Sequence, residues 1–393
     1  MKFLLVILFT FVLSNCAFGQ LQPYMLSAQI DSLLRVDTTG WKHQTAAVNY
    51  SMIGAYMQSL QARDREFPNA RGAEPTHEQH MQFSQFTPVD ARKAILEEAT
   101  KTRVLILNEA HHNSLHRIFL ADLLPDLHKL GYTFIGMEAL SAADTQLHRR
   151  KYPVIQSGYY TKEPCFGNLI REALDIGYTV FPYEQDVADS AQVKAGREKA
   201  QALNIATIIN RHPKAKVLLY CGYDHAAEDT LRNFMGLPMA GQLKLLTGID
   251  PFTIDQTALT EYVVVGNRYR KLIQERHDAV FVDSQRQYFN KATLPKRMDC
   301  NLYHPNTEYE YGRPTWLKRK NTTFVLLQDK VKIDYPCLIK IYLATDDKST
   351  AVPIDVVEVK SANEKVASVI LKRRKHVAVV VNGKGEQQEF PVR

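Results

Sequence analysis

Cysteine and tryptophan are scarce in this chain, whose 393 residues include five cysteines and two tryptophans. No two cysteines have the spacing C-x-x-C, and this disfavours a thiolate zinc site. The nucleophile elbow Gly-x-Ser-x-Gly is also missing, so we expect no acyl-enzyme of that type. The apolar run at residues 3–13 is too short to cross a bilayer and no later run is long enough, so we predict no transmembrane segment. Internal repeats and low-complexity tracts are absent as well.

Charge of one sign is only slightly in excess, with 49 Lys+Arg against 42 Asp+Glu and a net charge of +7. Seven of the 49 basic residues lie in two short runs near the C-terminus, at residues 318–320 and 372–375. Such runs, without interleaved aromatic residues, are typical of solvated turns, so we predict no nucleic-acid partner. A content of 45% hydrophobic residues supplies a core and excludes a disordered or fibrous chain.

The first nineteen residues have the pattern of a secretory signal. Lys2 precedes an apolar run at residues 3–13, and small residues flank Phe18 at the predicted cut before Gln20. We therefore predict an exported protein, periplasmic or secreted. A second reading makes Cys16 a lipid anchor, although Asn15 is a poor fit to a lipobox. Removal of Cys16 with the signal leaves four cysteines, for which the pairing Cys300–Cys337 stays open.

Residues 20–89 read as a helical N-terminal segment, and a helix is expected over residues 90–99 with Asp90 as its N-cap. From residue 103 short apolar strands alternate with amphipathic helices, which predicts an α/β domain with a mostly parallel sheet flanked by helices. Strands are expected at 104–107, 134–137, 180–182, 217–221 and 279–282. Helices are expected at 115–130, 169–175, 191–210, 226–234 and 242–246.

The last hundred residues have a different pattern. Short runs rich in β-branched residues, at 338–343, 352–359, 366–371 and 376–381, predict a small all-β, sandwich-like domain. We place the catalytic α/β domain at residues 90–295 and the C-terminal β domain at residues 296–393. The role of the β domain is open.

Polar residues follow four of the predicted strands directly. Glu109 with His111 and His112 follows the first strand, Glu138 the second, Tyr183 and Glu184 the third, and Tyr223 and His225 the fourth. Ligands bind beyond the carboxyl ends of the strands in an open parallel sheet. Carboxylates and imidazoles that meet there are costly to desolvate unless they are paired or functional. Each residue taken singly also has a structural interpretation, for example Glu109 as a helix cap.

Residues 107–113, Leu-Asn-Glu-Ala-His-His-Asn, resemble the Gly-Glu-x-x-His or Gly-Glu-x-His signature of the erythromycin esterase and ChaN-like superfamily. The similarity spans about residues 100–260 and includes Glu138, the pair Arg197-Glu198 at the start of a long helix, and a Gly-x-x-His that ends at His225. The family contains macrolide-lactone hydrolases and haem-binding lipoproteins. Asn108 stands where the family has Gly, so the turn is expected to differ in shape.

The resemblance implies a catalytic set of Glu109, one of His111 and His112, Glu138 and His225. The esterase spacing selects His112, whereas the haem-protein spacing selects His111. Supporting or substrate-binding roles fall to Asn108, Tyr183, Glu184, Arg197 and Tyr223.

The leading hypothesis is hydrolysis of an ester, lactone or amide-like bond in a small molecule, with His112 as general base on water held between Glu109 and Glu138. His225 would polarise the carbonyl or protonate the leaving group. One rival is a divalent metal held by the same Glu/His cluster. Another is a haem-binding protein without turnover, with an axial ligand from Tyr183, Tyr220, Tyr223 or His111. The last is a cell-envelope scaffold.

Overall fold

The structure is a computed structural model that describes residues 24–66, 74–230, 236–261, 268–291 and 298–392. The predicted signal, its cut before Gln20 and Cys16 lie outside the described residues. Within those residues no helix has both the length and the apolar character that a membrane crossing needs. Cys165, Cys221, Cys300 and Cys337 are all buried free thiols, so Cys300 and Cys337 form no disulfide.

The N-terminal segment is helical, as predicted. It contains α1 (Ser27–Val36), α2 (Lys42–Met52), α3 (Tyr56–Asp64) and α4 (His77–Phe83). The last part of the segment instead forms strand β1 (Thr87–Asp90), which pairs antiparallel with a later strand. Asp90 then caps α5 (Ala91–Lys101), since its side chain accepts a hydrogen bond from the Lys93 N–H, as expected at this position.

The central region is a three-layer α/β unit, which confirms the predicted class. Its further strands are β2 (Val104–Glu109), β3 (Tyr132–Met137), β4 (Thr179–Pro182), β5 (Lys216–Gly222), β6 (Phe252–Leu259), β7 (Ala279–Val282) and β8 (Cys300–Tyr303). Its helices are α6 (Leu115–Lys129), α7 (Leu147–Arg150), α8 (Pro164–Ile176), α9 (Ser190–Ala195), α10 (Arg197–Arg211) and α11 (Met239–Thr247). Apolar side chains on both faces of the buried strands account for the helices on each side.

In the described part of the chain the strands form an eight-stranded sheet of order β1-β7-β8-β6-β2-β5-β3-β4. Neighbours from β8 to β4 run parallel, and the contacts of β7 with β8 and β1 are antiparallel. The sheet is therefore mostly parallel. The strands β2, β5 and β3 lie side by side, so their carboxyl ends form one edge.

Two predicted helices differ from the structure. The helix expected at 191–210 is divided into α9 and α10 by Gly196, whose φ of +85° lies in the region that favours glycine. The helix expected at 226–234 is replaced by one 3₁₀ turn, Tyr223–Ala226, and residues 227–230 are not helical. Residues 231–234 of that prediction lie outside the described residues.

The C-terminal region is all-β and antiparallel. Its strands are β9 (Tyr309–Glu310), β10 (Arg313–Pro314), β11 (Thr322–Leu326), β12 (Cys337–Leu343), β13 (Asp355–Val359), β14 (Ala367–Leu371), β15 (His376–Asn382) and β16 (Gln387–Val392). Among the described residues they form a four-stranded sheet β13-β12-β15-β16 and two-stranded pairs β11-β14 and β9-β10. Apolar side chains of β12, β13, β14 and β15 share one core.

The predicted boundary at residues 295 and 296 does not coincide with the edge of the large sheet. Strand β8 lies beyond it and inserts between β6 and β7. The predicted N-terminal segment also packs against the C-terminal sheet, because Ile30 and Met52 share a core with Leu338 and Val356. Local sequence patterns do not encode these contacts, since each joins residues far apart in the chain.

Candidate functional site

The carboxyl ends of β2, β3 and β5 bring the predicted polar residues to one edge of the sheet. Glu109 is the last residue of β2 and pairs with Gly222 of β5. Met137 of β3 pairs with Tyr220 of β5, and Glu138 follows directly, donating its N–H to the Tyr220 carbonyl at 3.1 Å. Parallel register therefore places Glu109, Glu138 and the Gly222–His225 turn beside one another.

Glu109 lies in a buried ion network. Its side chain accepts two hydrogen bonds from Arg117 of α6, one from Nε at 2.7 Å and one from Nη2 at 2.8 Å. Arg117 is itself fully buried and donates from Nη1 to Glu163 at 2.8 Å. Burial alone would raise the pKa of Glu109, but the Arg117 guanidinium and His111 outweigh burial and hold that pKa below its ordinary value. Glu109 is therefore held in place by Arg117 and stays ionised.

His111 is the histidine that contacts Glu109. Its Nδ1 lies 2.9 Å from Glu109 Oε1. Its ring lies over Gly222, where a Cβ would come within 2.2 Å of His111 Cε1 and 2.4 Å of Nε2. The face of the ring stacks on Tyr160, and Tyr223 meets it edge-on. Within the described residues Nε2 has no hydrogen-bond partner, so it is the nitrogen left for water or substrate.

His112 has different neighbours from His111, although both contact Tyr223. It is 4% exposed, its Nδ1 lies 3.4 Å from the Tyr223 hydroxyl, and its backbone carbonyl accepts a hydrogen bond from Ser59 of α3 at 2.9 Å. Burial, together with the positive charge of Arg63, lowers the pKa of His112 to about 3. A histidine with such a low pKa is a weak base near neutral pH. The geometry therefore favours His111 over His112 at the carboxylate.

Glu138 joins the two halves of the site. Its Oε2 accepts a hydrogen bond from the Gly222 N–H at 2.6 Å, and its Oε1 accepts one from Arg197 Nη2 at 2.5 Å. His225 Nε2 lies 3.3 Å from the same Oε1. Because the His111 ring also lies against Gly222, these contacts form one continuous cluster from Glu109 to His225.

His225 is held by a further carboxylate. Its Nδ1 lies 2.8 Å from Glu198, which also accepts a hydrogen bond from the Met239 N–H at 2.8 Å. Arg197 Nη1 lies 2.9 Å from His225 Nε2. Burial alone would lower the pKa of His225, but the hydrogen bond with Glu198 and the charge of Glu138 outweigh it and raise that pKa. His225 therefore retains a proton more readily than an ordinary histidine.

The predicted supporting residues have different positions. Glu184 accepts hydrogen bonds from Arg197 and thus touches the cluster. Asn108 is buried and links β2 to its neighbours, since its Nδ2 donates to Asp255 at 2.9 Å and to the Tyr223 carbonyl at 3.0 Å. Tyr183 is buried below the edge and donates its hydroxyl proton to the Tyr220 carbonyl at 2.9 Å.

Tyr223 carries local backbone strain. Its φ of +38° is unusual for a residue other than glycine, and strained backbone of this kind clusters at functional sites. The conformation turns the chain immediately after β5 and presents the Tyr223 ring to His111.

Sequence reasoning missed three residues of the cluster, Arg117, Tyr160 and Glu163, and it named Glu198 only beside Arg197, without a role. The sequence did contain a signal for Arg117, because this arginine lies among apolar residues of α6. The structure shows that it is fully buried. Glu163 precedes Pro164 at the start of α8 and caps that helix by accepting the Phe166 N–H. Tyr160 lies in a loop without periodicity and had no signal.

A cavity of about 1170 Å³ opens beside the cluster. Glu138 and Glu184 border it, and much of the remaining wall is small apolar or uncharged polar. Its residues include Ala139, Leu140, Ser141, Ala142, Tyr159, Gln185, Gln192, Asn204 and Thr207. The volume is sufficient for a substrate of drug size or larger.

The donor set does not fit the divalent metal considered above, and two of the tyrosines considered as haem ligands are buried. Among the residues that the structure describes, no group of three or more His, Cys, Asp or Glu side chains is arranged to hold a metal ion. Arginine guanidinium groups already neutralise Glu109 and Glu138. Tyr183 and Tyr220 are each 1% exposed, which keeps them from a haem face, whereas His111 and Tyr223 are only partly buried. We therefore derive no step through either group.

The comparisons with known proteins give weak likenesses. No protein-family model matches the chain, and no curated protein does. Among solved structures, the type III effector HopBA1 is 12% identical, with 45% of this chain and 88% of that chain covered and a TM-score of 0.31. A structure described as bacterial protein toxins is 16% identical, covering 58% and 46% of the two chains at a TM-score of 0.30.

RRSP, a MARTX toxin effector domain from Vibrio vulnificus CMCP6, is 12% identical over 55% of this chain and 44% of that chain, with a TM-score of 0.28. This chain thus spans less than half the length of the last two structures. TM-scores of this size establish no shared function. The resemblance of the Glu/His motifs to the erythromycin esterase and ChaN-like superfamily stays a prediction from the residues.

Proposed function

We propose that the chain is an exported hydrolase that cleaves an ester, lactone or amide-like bond by direct attack of water. One observation supports this above all. Two histidine–carboxylate pairs, Glu109 with His111 and Glu198 with His225, meet across Gly222 and Glu138 beside a large cavity. A general base and a general acid placed near one bond would both assist direct attack by water.

His111 is the proposed general base. Glu109 accepts the Nδ1 proton, which fixes the neutral ring in the form whose Nε2 is a lone-pair acceptor. Nε2 takes a proton from water as the water oxygen bonds to the substrate carbonyl carbon. The carboxylate then stabilises the imidazolium, and Arg117 keeps Glu109 ionised. His111 thus replaces His112 in the role that the spacing first suggested.

His225 is the proposed general acid. Its raised pKa makes the protonated ring easier to form than in an ordinary histidine, and Glu198 holds Nδ1 so that Nε2 is directed toward Glu138. The proton on Nε2 passes to the leaving oxygen or nitrogen when the bond to the carbonyl carbon breaks. Because a guanidinium only donates, the 2.9 Å contact of Arg197 Nη1 makes Nε2 an acceptor here, so the acid form of His225 requires that Arg197 turn toward Glu138 and Glu184, which it also contacts. After turnover His111 has gained one proton and His225 has lost one, and solvent restores both.

No cluster residue is placed to act as a covalent nucleophile. The thiol of Cys221 directly precedes Gly222 in the sequence, but it is buried in the core, and burial raises its pKa well above the ordinary value. Ser114 donates its hydroxyl proton to the buried Glu163 at 2.9 Å. Water is therefore the better candidate for the attacking group.

Substitutions of His111, His225 and His112 test the proposed roles of base and acid. With p-nitrophenyl acetate and p-nitrophenyl butyrate as first substrates, His111→Gln is expected to lower kcat by a factor of about 10² to 10⁴, with the fold unchanged by circular dichroism. His225→Gln is expected to lower kcat by a similar factor with an alkyl ester such as ethyl butyrate, whose leaving alkoxide needs a proton, and much less with the p-nitrophenyl esters, because p-nitrophenolate leaves without one. His112→Gln is the matched control and is expected to keep kcat within about threefold.

Loss of activity in His112→Gln alone would assign the base to His112. A wild-type protein that cleaves no ester, lactone or amide in a broad panel, and shows a Soret band with hemin, would replace the hydrolase with a haem-binding protein.

A further inference from the structure

We propose that Tyr160 is a positioning residue of this site, and that the face of its aromatic ring stabilises the imidazolium that His111 becomes when it takes a proton. The inference rests on the proposed function, because it assigns a task to a residue beside the proposed base. Neither the sequence motifs nor the family resemblance includes Tyr160.

The geometry of the two rings is that of a face-to-face stack. The ring centroids of His111 and Tyr160 are 3.9 Å apart, and the planes differ by 14°. Tyr223 approaches the same imidazole edge-on, with centroids 5.3 Å apart and planes at 89°. Gly222 lies against the His111 ring and Glu109 holds Nδ1, so the imidazole is fixed on four sides.

The fold fixes Tyr160 in this position. It begins the 3₁₀ turn Tyr160–Lys162, two residues after Gly158. A Cβ at Gly158 would lie 2.0 Å from the Ala139 carbonyl oxygen, so only glycine lets the loop approach the end of β3 this closely. A β-bridge between Leu140 and Gly158 and the hydrogen bond from the Ser141 N–H to the Ser157 carbonyl at 2.7 Å tie the loop down.

The charged groups around His111 indicate what the Tyr160 ring can contribute. Glu109 and Glu138 lie on the strand side, while Arg117 donates from Nη2 to the His111 backbone carbonyl and His112 is the next residue. Tyr160 and Tyr223 complete the surroundings. Burial, and to a lesser extent the charge of Glu109, raise the pKa of Tyr160, so its phenol stays neutral and presents a π face. A cation over such a face is attracted by the ring quadrupole.

The experiment compares two adjacent tyrosines with p-nitrophenyl butyrate as substrate. Tyr160→Leu removes the π face and is expected to lower kcat about tenfold while KM changes less than about twofold. Tyr160→Phe keeps the face and is expected to restore kcat to within about twofold. Tyr159→Leu is the matched comparison, since Tyr159 borders the cavity and meets the Tyr160 ring edge-on, whereas the ring stacked on His111 is that of Tyr160. We expect it to raise KM with little change in kcat.

Each outcome decides the inference. Wild-type kcat in Tyr160→Leu, together with loss of kcat in His111→Gln, would overturn the role of Tyr160 and leave the hydrolase proposal intact. A loss in Tyr160→Phe equal to that in Tyr160→Leu would assign the effect to the hydroxyl and also overturn it. If Tyr160→Leu has a lower melting temperature, Tyr160→Met takes its place in the same comparison. A wild-type protein without turnover would contradict both proposals.

Discussion

At the scale of single residues, the contact between His111 and Gly222 makes a sharp prediction. The backbone of Gly222 has φ −83° and ψ 144°, which any residue adopts, so the only cost of a side chain there is its clash with the His111 ring. We expect Gly222→Ala to displace the imidazole from Glu109 and to lower kcat by about 10². Steady-state kinetics with a p-nitrophenyl ester measures the effect.

The double variant Gly222→Ala with His111→Gln is the control for that prediction. Both substitutions act on one imidazole, so the second is expected to add little to the loss caused by the first. Additive losses would show that Gly222 affects activity by another route.

A second prediction at this scale concerns His112 and pH. The unfolded chain binds a proton at this histidine near pH 6.5, whereas the folded protein does so only near pH 3. Between those values the unfolded state binds more protons, so the free energy of unfolding decreases as pH falls through this window. From pH 6.5 to 4.5 we expect His112 to account for a loss of about 2–3 kcal/mol.

Urea denaturation of wild type and His112→Gln at the two pH values measures this loss. The variant is expected to lose less stability on acidification than the wild type. His77→Gln, at an exposed position on α4, should reproduce the wild-type dependence. Equal losses in wild type and His112→Gln would contradict the buried, neutral state of His112.

At the scale of elements, α6 is tied to β2 and to the start of α8 by Arg117. This buried arginine pairs with Glu109 at the end of β2 and with Glu163, the N-cap of α8. Arg117→Met would leave two buried carboxylates without their counter-charge. We therefore expect a decrease of about 3–5 kcal/mol in the free energy of unfolding, measured by urea denaturation.

A surface pair between α5 and α6 provides the comparison. Arg92 and Asp126 form an ion pair whose side chains are 42% and 31% exposed. Arg92→Met is expected to cost about 0–1 kcal/mol, because water solvates the remaining carboxylate. Similar losses for Arg92→Met and Arg117→Met would mean that the Arg117 network is not required to neutralise Glu109.

Elements differ in how far the sequence predicts them. The strands β2, β3, β4 and β5 follow the predicted runs within about two residues, since their apolar character is a local property. Strand β6 was not predicted, because Phe252–Leu259 places Asp255 and Gln256 among its apolar residues. Both polar side chains are buried, and both are hydrogen-bonded to Asn108 of the neighbouring strand β2. The pattern within Phe252–Leu259 does not show these partners, because they lie on another strand.

At the scale of the whole molecule, the N-terminal, central and C-terminal regions depend on one another. Strand β8 lies between β6 and β7, and Arg171 of α8 pairs with Asp346 of the β region at 2.8 Å. A chain of residues 20–295, cut at the boundary that the sequence suggests, would lack both. We expect it to unfold without a cooperative transition in urea, while the chain of residues 20–393 unfolds cooperatively.

One result with the same truncated chain would contradict this prediction. A soluble 20–295 protein with a cooperative transition and hydrolytic activity would show that the sheet closes without β8. The Glu/His cluster alone would then define the functional unit.

The sequence by itself determined the class of the fold and the edge at which polar residues gather. Both depend on patterns within about ten residues: apolar strand runs, amphipathic helices, and charged residues directly after a strand. Glu109, Glu138 and His225 were found in this way, and the structure places them in one cluster.

Only the tertiary structure decided which of two adjacent histidines meets Glu109, and which unpredicted residues surround it. His111 and His112 are adjacent in one loop, and packing against α3 and Gly222 decides which of them faces Glu109. Arg117 and Tyr160 reach the cluster because α6 and the loop after β3 fold back over the sheet. Such contacts depend on strand order and side-chain packing across long separations, which no local pattern of residues records.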